Sequence, residues 1–193
     1  MSFLDLLKAK KNRLRPTQTY VTSLDGKVYK QTKDSLEFVK THTGYVVDTK
    51  PDKIPANIID CLYLGSQDCC EKDILDKYNI KFVLSIGIEA PTQYEGITYK
   101  FVECLDLPES DLLKPLKDCV PFIKIAVNNN CNVLVHCNAG VSRSSSIVLG
   151  YLILEKGYTF LKAYDIVKLA RSCMKPNAGF EKQLKCLDGD CVF

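Results

Sequence analysis

The stretch from Asn132 to Glu155 limits what this chain can fold into more than any other part of it. Asn132-Val133-Leu134-Val135-His136 is a short apolar run, and Arg143 to Glu155 is a longer segment that carries a second apolar run, Ile147 to Leu154. Between them stand only small or polar residues around Cys137 and Gly140. A continuously apolar strand is buried on both faces. The spacing therefore predicts a central strand over 132–136, a tight loop, and a helix over 143–155. The rest of the chain alternates in the same way. Strands are expected over Ile58–Leu64 (punctuated by Gly65-Ser66), Lys81–Ile86 and Ile97–Leu105. Helices are expected over Glu71–Tyr78, Pro115–Asn128, Thr159–Arg171 and Phe180–Leu187; Leu116, Val120, Ile123 and Val127 set the period of the second. Strands alternating with helices imply an α/β fold: a central, mostly parallel, twisted sheet of about five strands flanked by helices.

At 193 residues one domain is the default. Charge divides it: residues 1–56 carry net +5 and residues 57–193 net −2. We read 1–56 as a basic N-terminal extension and 57–193 as the compact domain. In the extension, Tyr20–Leu24, Asp25-Gly26 and Lys27–Tyr29 suggest a hairpin with a two-residue turn. Ser2–Leu14 suggests a short amphipathic helix. The run Lys8, Lys10, Lys11, Arg13, Arg15 is either a docking segment or a solvated face. An overall charge of +3 is too weak to read as a nucleic-acid binder, whose domains usually carry a clustered basic stripe. Ile147–Leu154 is far shorter than the ~20 apolar residues of a membrane span. The 10 cysteines include no C-x-x-C pair, and His42 and His136 are the only histidines, so a structural zinc site is not expected. With no apolar leader after Met1, the thiols are expected to be reduced.

The chemistry concentrates in His136-Cys137-Asn138-Ala139-Gly140-Val141-Ser142-Arg143-Ser144. A loop that enters a helix from a buried strand can turn successive N–H groups, here Asn138 to Arg143, toward one anion, and the helix N-terminus adds its positive end. Gly140 permits the tight turn. Arg143 supplies a planar fork for two phosphate oxygens. Cys137 sits at the base, where the same field favours a thiolate, an in-line nucleophile for a bound phosphoryl group. Ser144 is placed to steady that thiolate as a leaving group. His136 points the other way and fixes the loop. The plainer alternative is a strand–turn–helix crossover around a structural cysteine.

H-C-x5-R-S resembles the signature of the protein tyrosine phosphatase superfamily, and HCNAGVSRS the form seen in its dual-specificity phosphatases. Tyr63-Leu64-Gly65-Ser66 and Phe82-Val83-Leu84-Ser85 resemble the family's first two strands. Leu105-Asp106-Leu107-Pro108-Glu109 resembles its general-acid loop, and Pro176-Asn177-Ala178-Gly179-Phe180 the segment that buttresses the cradle. The resemblance covers about residues 57–188 and implies the cysteine phosphatase fold, with no metal and no other cofactor. It implies that Asp106, 31 residues before Cys137, protonates the leaving oxygen and then activates water. A turn-capping role for Asp106 stays open, with Asp111 and Glu109 as rivals. Asn177 either orients the cradle's backbone or caps a helix. Ser142 is expected to bond within the loop and support Arg143. Cys104 is either a buried apolar thiol or a redox partner of Cys137.

The implied activity is hydrolysis of phosphotyrosine and phosphoserine or phosphothreonine on proteins. Phosphoproteins, including kinases of a MAP kinase pathway, are the implied partners, in the cytoplasm and with the nucleus open. The uncharged loop residues Asn138, Ala139, Val141 and Ser142 favour this over an inositol phosphate or RNA 5′-end substrate. A phosphoprotein-binding scaffold is the non-enzymatic alternative.

Overall fold

A computed structural model describes residues 19–22, 27–31, 35–41 and 51–188. The chain falls into two compact units, Met1–Val46 and Val47–Phe193. The helix expected over Ser2–Leu14 and the basic run within it lie outside the described residues. In the first unit, β1 (Thr19–Thr22), β2 (Lys27–Gln31) and β3 (Leu36–Thr41) form an antiparallel sheet in that order. The hairpin is present, but its register pairs Thr22 with Val28. A two-residue Asp25-Gly26 turn would have set Thr22 against Tyr29. The third strand is not among those expected.

The second unit holds a five-stranded sheet in the order β4 (Ala56–Ile59), β5 (Leu62–Gly65), β8 (Asn132–His136), β6 (Ile80–Ile86), β7 (Thr98–Val102). Only the β4–β5 pair is antiparallel. The single strand expected over Ile58–Leu64 is thus a hairpin. Asp60 turns it at φ 37°, and the Asn57 side chain donates to the Asp60 carbonyl at 2.9 Å. The apolar residues on either side of Asp60 disguised that reversal. Residues 52–56 also belong to this unit: Asp52 N–H donates to Ser66 Oγ at 2.9 Å.

β8 is the central strand, as its composition predicts. Val133 and Val135 face the larger core with α2 (Leu113–Asn128), α3 (Arg143–Lys156), α4 (Phe160–Ala170) and α5 (Ala178–Leu187). Leu134 faces a smaller core with α1 (Lys72–Lys77) and a 3-10 turn over Gln67–Cys70. α3 is buried on all sides because the sheet and three helices surround it, and Ser144 to Ile153 are all buried. None of the helices among the described residues is long and apolar enough to cross a membrane. Eight described cysteines are free thiols, and Cys186 is disulfide-bonded, an exception to the expected reduced set.

His136 ends β8 with no exposed surface, opposite Ser85 of β6. Its Nδ1 lies 3.3 Å from the Cys137 carbonyl and its Nε2 2.7 Å from Ser85 Oγ. A carbonyl can only accept, so Nδ1 carries the proton and Nε2 accepts from the Ser85 hydroxyl. The neutral ring satisfies both contacts. Burial pushes the imidazole down to about 4, partly offset by the bond to the Cys137 carbonyl. Above about pH 6.5 the ring is neutral in both folded and unfolded chains. Below it the unfolded chain takes up a proton that the folded chain refuses, so stability falls as pH falls toward 4. Urea unfolding between pH 6.5 and 4 should show the wild type losing about 3 kcal/mol more than His136→Asn. Parallel losses in the two proteins would refute this account of His136.

Candidate active site

The loop between β8 and α3 carries six consecutive carbonyls, and each has a donor on its outer side. The Cys137 carbonyl takes His136, and the Asn138 carbonyl takes the N–H of Gln67 at 3.0 Å. The Ala139 and Gly140 carbonyls take Nη2 and Nε of Arg171 at 2.9 and 2.8 Å. The Val141 carbonyl takes the N–H of Lys175 at 2.8 Å and the Ser145 hydroxyl. The Ser142 carbonyl takes Ser146 N–H at 2.9 Å and the hydroxyls of Ser145 and Ser146. A trans peptide points its N–H opposite its carbonyl. With the carbonyls held outward, the N–H groups turn inward. Gly140 makes the bend at φ 67°, and a side chain there would strike the Gly65 carbonyl. No side chain caps α3 at Ser142, so the first-turn amides remain open to a ligand.

These amides face a cavity of about 230 Å³ lined by Asp106, Cys137, Asn138, Ala139, Val141, Ser142 and Arg143. Cys137 is 2% exposed, and its Sγ lies 3.1 Å from Ser144 Oγ. A thiolate there accepts from that hydroxyl. Arg143 reaches the Ile86 carbonyl through Nη1 at 3.5 Å, while its buried Nε has no hydrogen-bond partner among the described residues. Nε lies 3.7 Å from Asp106 Oδ2, an ion-pair distance rather than a hydrogen bond. An unsatisfied buried donor on the cavity wall suits an incoming phosphate oxygen. A larger hollow of about 670 Å³ lies between β7 and the start of α2, lined by residues such as Lys100, Leu105, Asp111 and Lys114, and it contains none of Cys137, Arg143 or the loop between them.

Most of the expected residues meet here, with some changes of partner. Gly140 belongs to the loop but not to the cavity wall. Ser142 does not bond within the loop through its hydroxyl; it donates to Asp106 Oδ1 at 2.6 Å and accepts from Asn177 N–H at 3.1 Å. Asn177 does not reach the loop's backbone. Its Oδ1 caps α5 by accepting from Phe180 N–H at 2.9 Å, and its Nδ2 donates to Asp106 Oδ1 at 2.9 Å. Asp111 accepts from Leu113 N–H at the start of α2, and Glu109 is exposed outside the cavity. Burial pushes the Cys104 thiol up to about 11, and its Sγ–H faces the Leu105 carbonyl at 3.9 Å, consistent with packing. Among the described residues there is no cluster of His, Cys, Asp and Glu able to hold a metal.

Arg171 went unread in the sequence, where it ends a helix. It is 6% exposed and is paired with Asp52 at 2.7 Å. Its partners stand 119 and 31 residues away, so no local pattern announces them.

Residues 62–188 match the family described as dual specificity phosphatase, catalytic domain. The chain is 37% identical to dual specificity protein phosphatase 19 of Mus musculus over 91% of this chain and 84% of that protein. Its fold is similar to a crystal structure of DUSP15, with TM-score 0.65 and 32% identity over 69% of this chain and 86% of that one. It is also similar to human DUSP28, with TM-score 0.67 and 27% identity over 72% of this chain and 97% of that one.

Arg171→Lys removes the fork while keeping a charge. It should destabilise the protein by about 2–4 kcal/mol and weaken inorganic phosphate binding. Urea unfolding with and without phosphate measures both. Unchanged phosphate stabilisation in the variant would contradict the role given to Arg171.

Proposed function

The chain belongs to the dual specificity phosphatase family and is a cysteine-dependent protein phosphatase; we propose that it works through a phosphocysteine on Cys137 and accepts phosphotyrosine and phosphoserine or phosphothreonine in proteins. The observation that carries this reading is Cys137 Sγ beneath the inward amides, 3.1 Å from Ser144 Oγ, in a cavity also walled by Arg143 and Asp106.

The loop amides and Arg143 hold the three non-bridging phosphate oxygens. The Cys137 thiolate attacks phosphorus in line, forming the S–P bond as the bond to the leaving oxygen breaks. Asp106 gives its proton to that oxygen, which departs as a neutral alcohol or phenol. A water then attacks phosphorus and passes a proton to Asp106. The S–P bond breaks, and the Ser144 hydroxyl donates to the departing thiolate. Inorganic phosphate leaves, and Cys137 and Asp106 are restored.

The cavity has a volume of about 230 Å³, and Asn138, Ala139 and Val141 on its wall are uncharged. These features support a pocket open to both aryl and alkyl phosphates of proteins rather than to polyanionic inositol lipids. Phosphorylated kinases of a MAP kinase pathway, met in the cytoplasm or nucleus, are the substrates we propose on the strength of the family.

Phosphate release from a peptide phosphorylated on both residues of a Thr-x-Tyr motif, beside a phosphoinositide, tests this without added metal. Cys137→Ser should abolish peptide turnover, and Asp106→Asn should slow it by about 10²–10⁴. Turnover of the lipid alone would overturn the substrate reading. Full turnover by Cys137→Ser would overturn the mechanism.

A further inference from the structure

We infer that α5 is a brace for the loop carrying Asp106, and that Gly179 and Gln183 are positioning residues for the reaction; this rests on Asp106 being the general acid.

Three residues in the first two turns of α5 touch the loop. Asn177 donates to Asp106 Oδ1 at 2.9 Å. Gly179 packs on Pro108 so closely that an added side-chain carbon would collide with the Pro108 carbonyl oxygen and lie 2.6 Å from its carbon. Gln183, one turn on from Gly179, uses both ends of its amide: Oε1 accepts from Leu112 N–H and Nε2 donates to the Ser110 carbonyl, each at 2.8 Å. The loop from 106 to 112 is thereby fixed at both ends and in the middle. The helix that grips it is itself anchored, since Phe180 and Leu184 are fully buried in the main core. At its far end Asp188 accepts from Phe160 N–H at 2.7 Å, tying α5 to the start of α4.

The arrangement also orients the acid. Both Asn177 and Ser142 donate to Oδ1, so Oδ1 is occupied as an acceptor. The transferable proton then belongs on Oδ2, the oxygen nearer Arg143. Release of the Gln183 or Gly179 contact lets the loop drift and moves that proton away from the leaving oxygen. A misplacement of about 1 Å in such a group lowers a rate by as much as ~10²-fold.

The test compares kcat/KM for phenyl phosphate, a poor leaving group, and para-nitrophenyl phosphate, a good one. Gln183→Ala should lower the first by about 10–100-fold and the second far less. It should also flatten the high-pH limb of the phenyl phosphate profile. In an Asp106→Asn background the same substitution should change neither rate. Gly179→Ala should repeat the pattern, with Gln183→Glu as the backup if it fails to fold: Glu keeps the acceptor and loses the donor to Ser110. Equal losses on the two substrates, or a loss that persists without Asp106, would reduce α5 to a structural role and overturn the inference. If Asp106→Asn alone slows both substrates equally, the acid reading itself falls, a failure distinct from that of the brace.

Discussion

A peptide loop can offer its N–H groups to an anion only if its carbonyls are satisfied elsewhere, and this requirement organises the protein. Each buried carbonyl left without a donor destabilises by about 1–3 kcal/mol. Cys137 to Ser142 present six of them in succession. Their donors come from Gln67 beyond β5, His136 in β8, Arg171 at the end of α4, Lys175 before α5 and the first turn of α3. The loop is therefore correctly made only when the sheet and the helices around it are correctly docked. The charge of Arg171 is met in turn by Asp52, which explains why the chain just before β4 packs against this unit.

The same economy of contacts links the loop to Asp106. Ser142 belongs to the phosphate loop and Asn177 caps α5, yet both donate to one oxygen of the acid. Phosphate binding and proton donation thus share a frame of three elements. This network is only partly buried, and it is favourable because each of these members is satisfied. Here the donor left over is Arg143 Nε, and it lies where the substrate's phosphate would supply the acceptor.

How much of this was legible depended on how local the signal was. β8, its loop and α3 form one continuous segment; β8, the start of α3 and the residues Cys137, Arg143 and Ser144 stand where the sequence puts them, and α3 runs one residue further, to Lys156. The sheet's parallel core and the place of β8 at its centre follow from the apolar run Val133-Leu134-Val135. The β4–β5 hairpin was hidden because Ile58, Ile59 and Leu62 to Leu64 are apolar on both sides of Asp60, and a single positive-φ aspartate is a weak turn signal. Arg171 was illegible for a different reason. A buried guanidinium is specified by partners distant in sequence, and its own neighbours show only the end of an amphipathic helix. Asn177 was half legible: a helix cap is a local property, while its bond to Asp106 spans 71 residues.

The central claim is that Cys137 itself carries the phosphoryl group between substrate and water. Rapid quenching during turnover of a phosphotyrosine peptide, followed by mass mapping, tests it most directly. The account predicts that the peptide containing Cys137 gains the mass of one phosphoryl group, that the adduct decays at the rate of phosphate release, and that Cys137→Ser shows no such turnover-linked adduct. Turnover with the Cys137 thiol unmodified at every time point, or with the phosphoryl group on another residue, would contradict it.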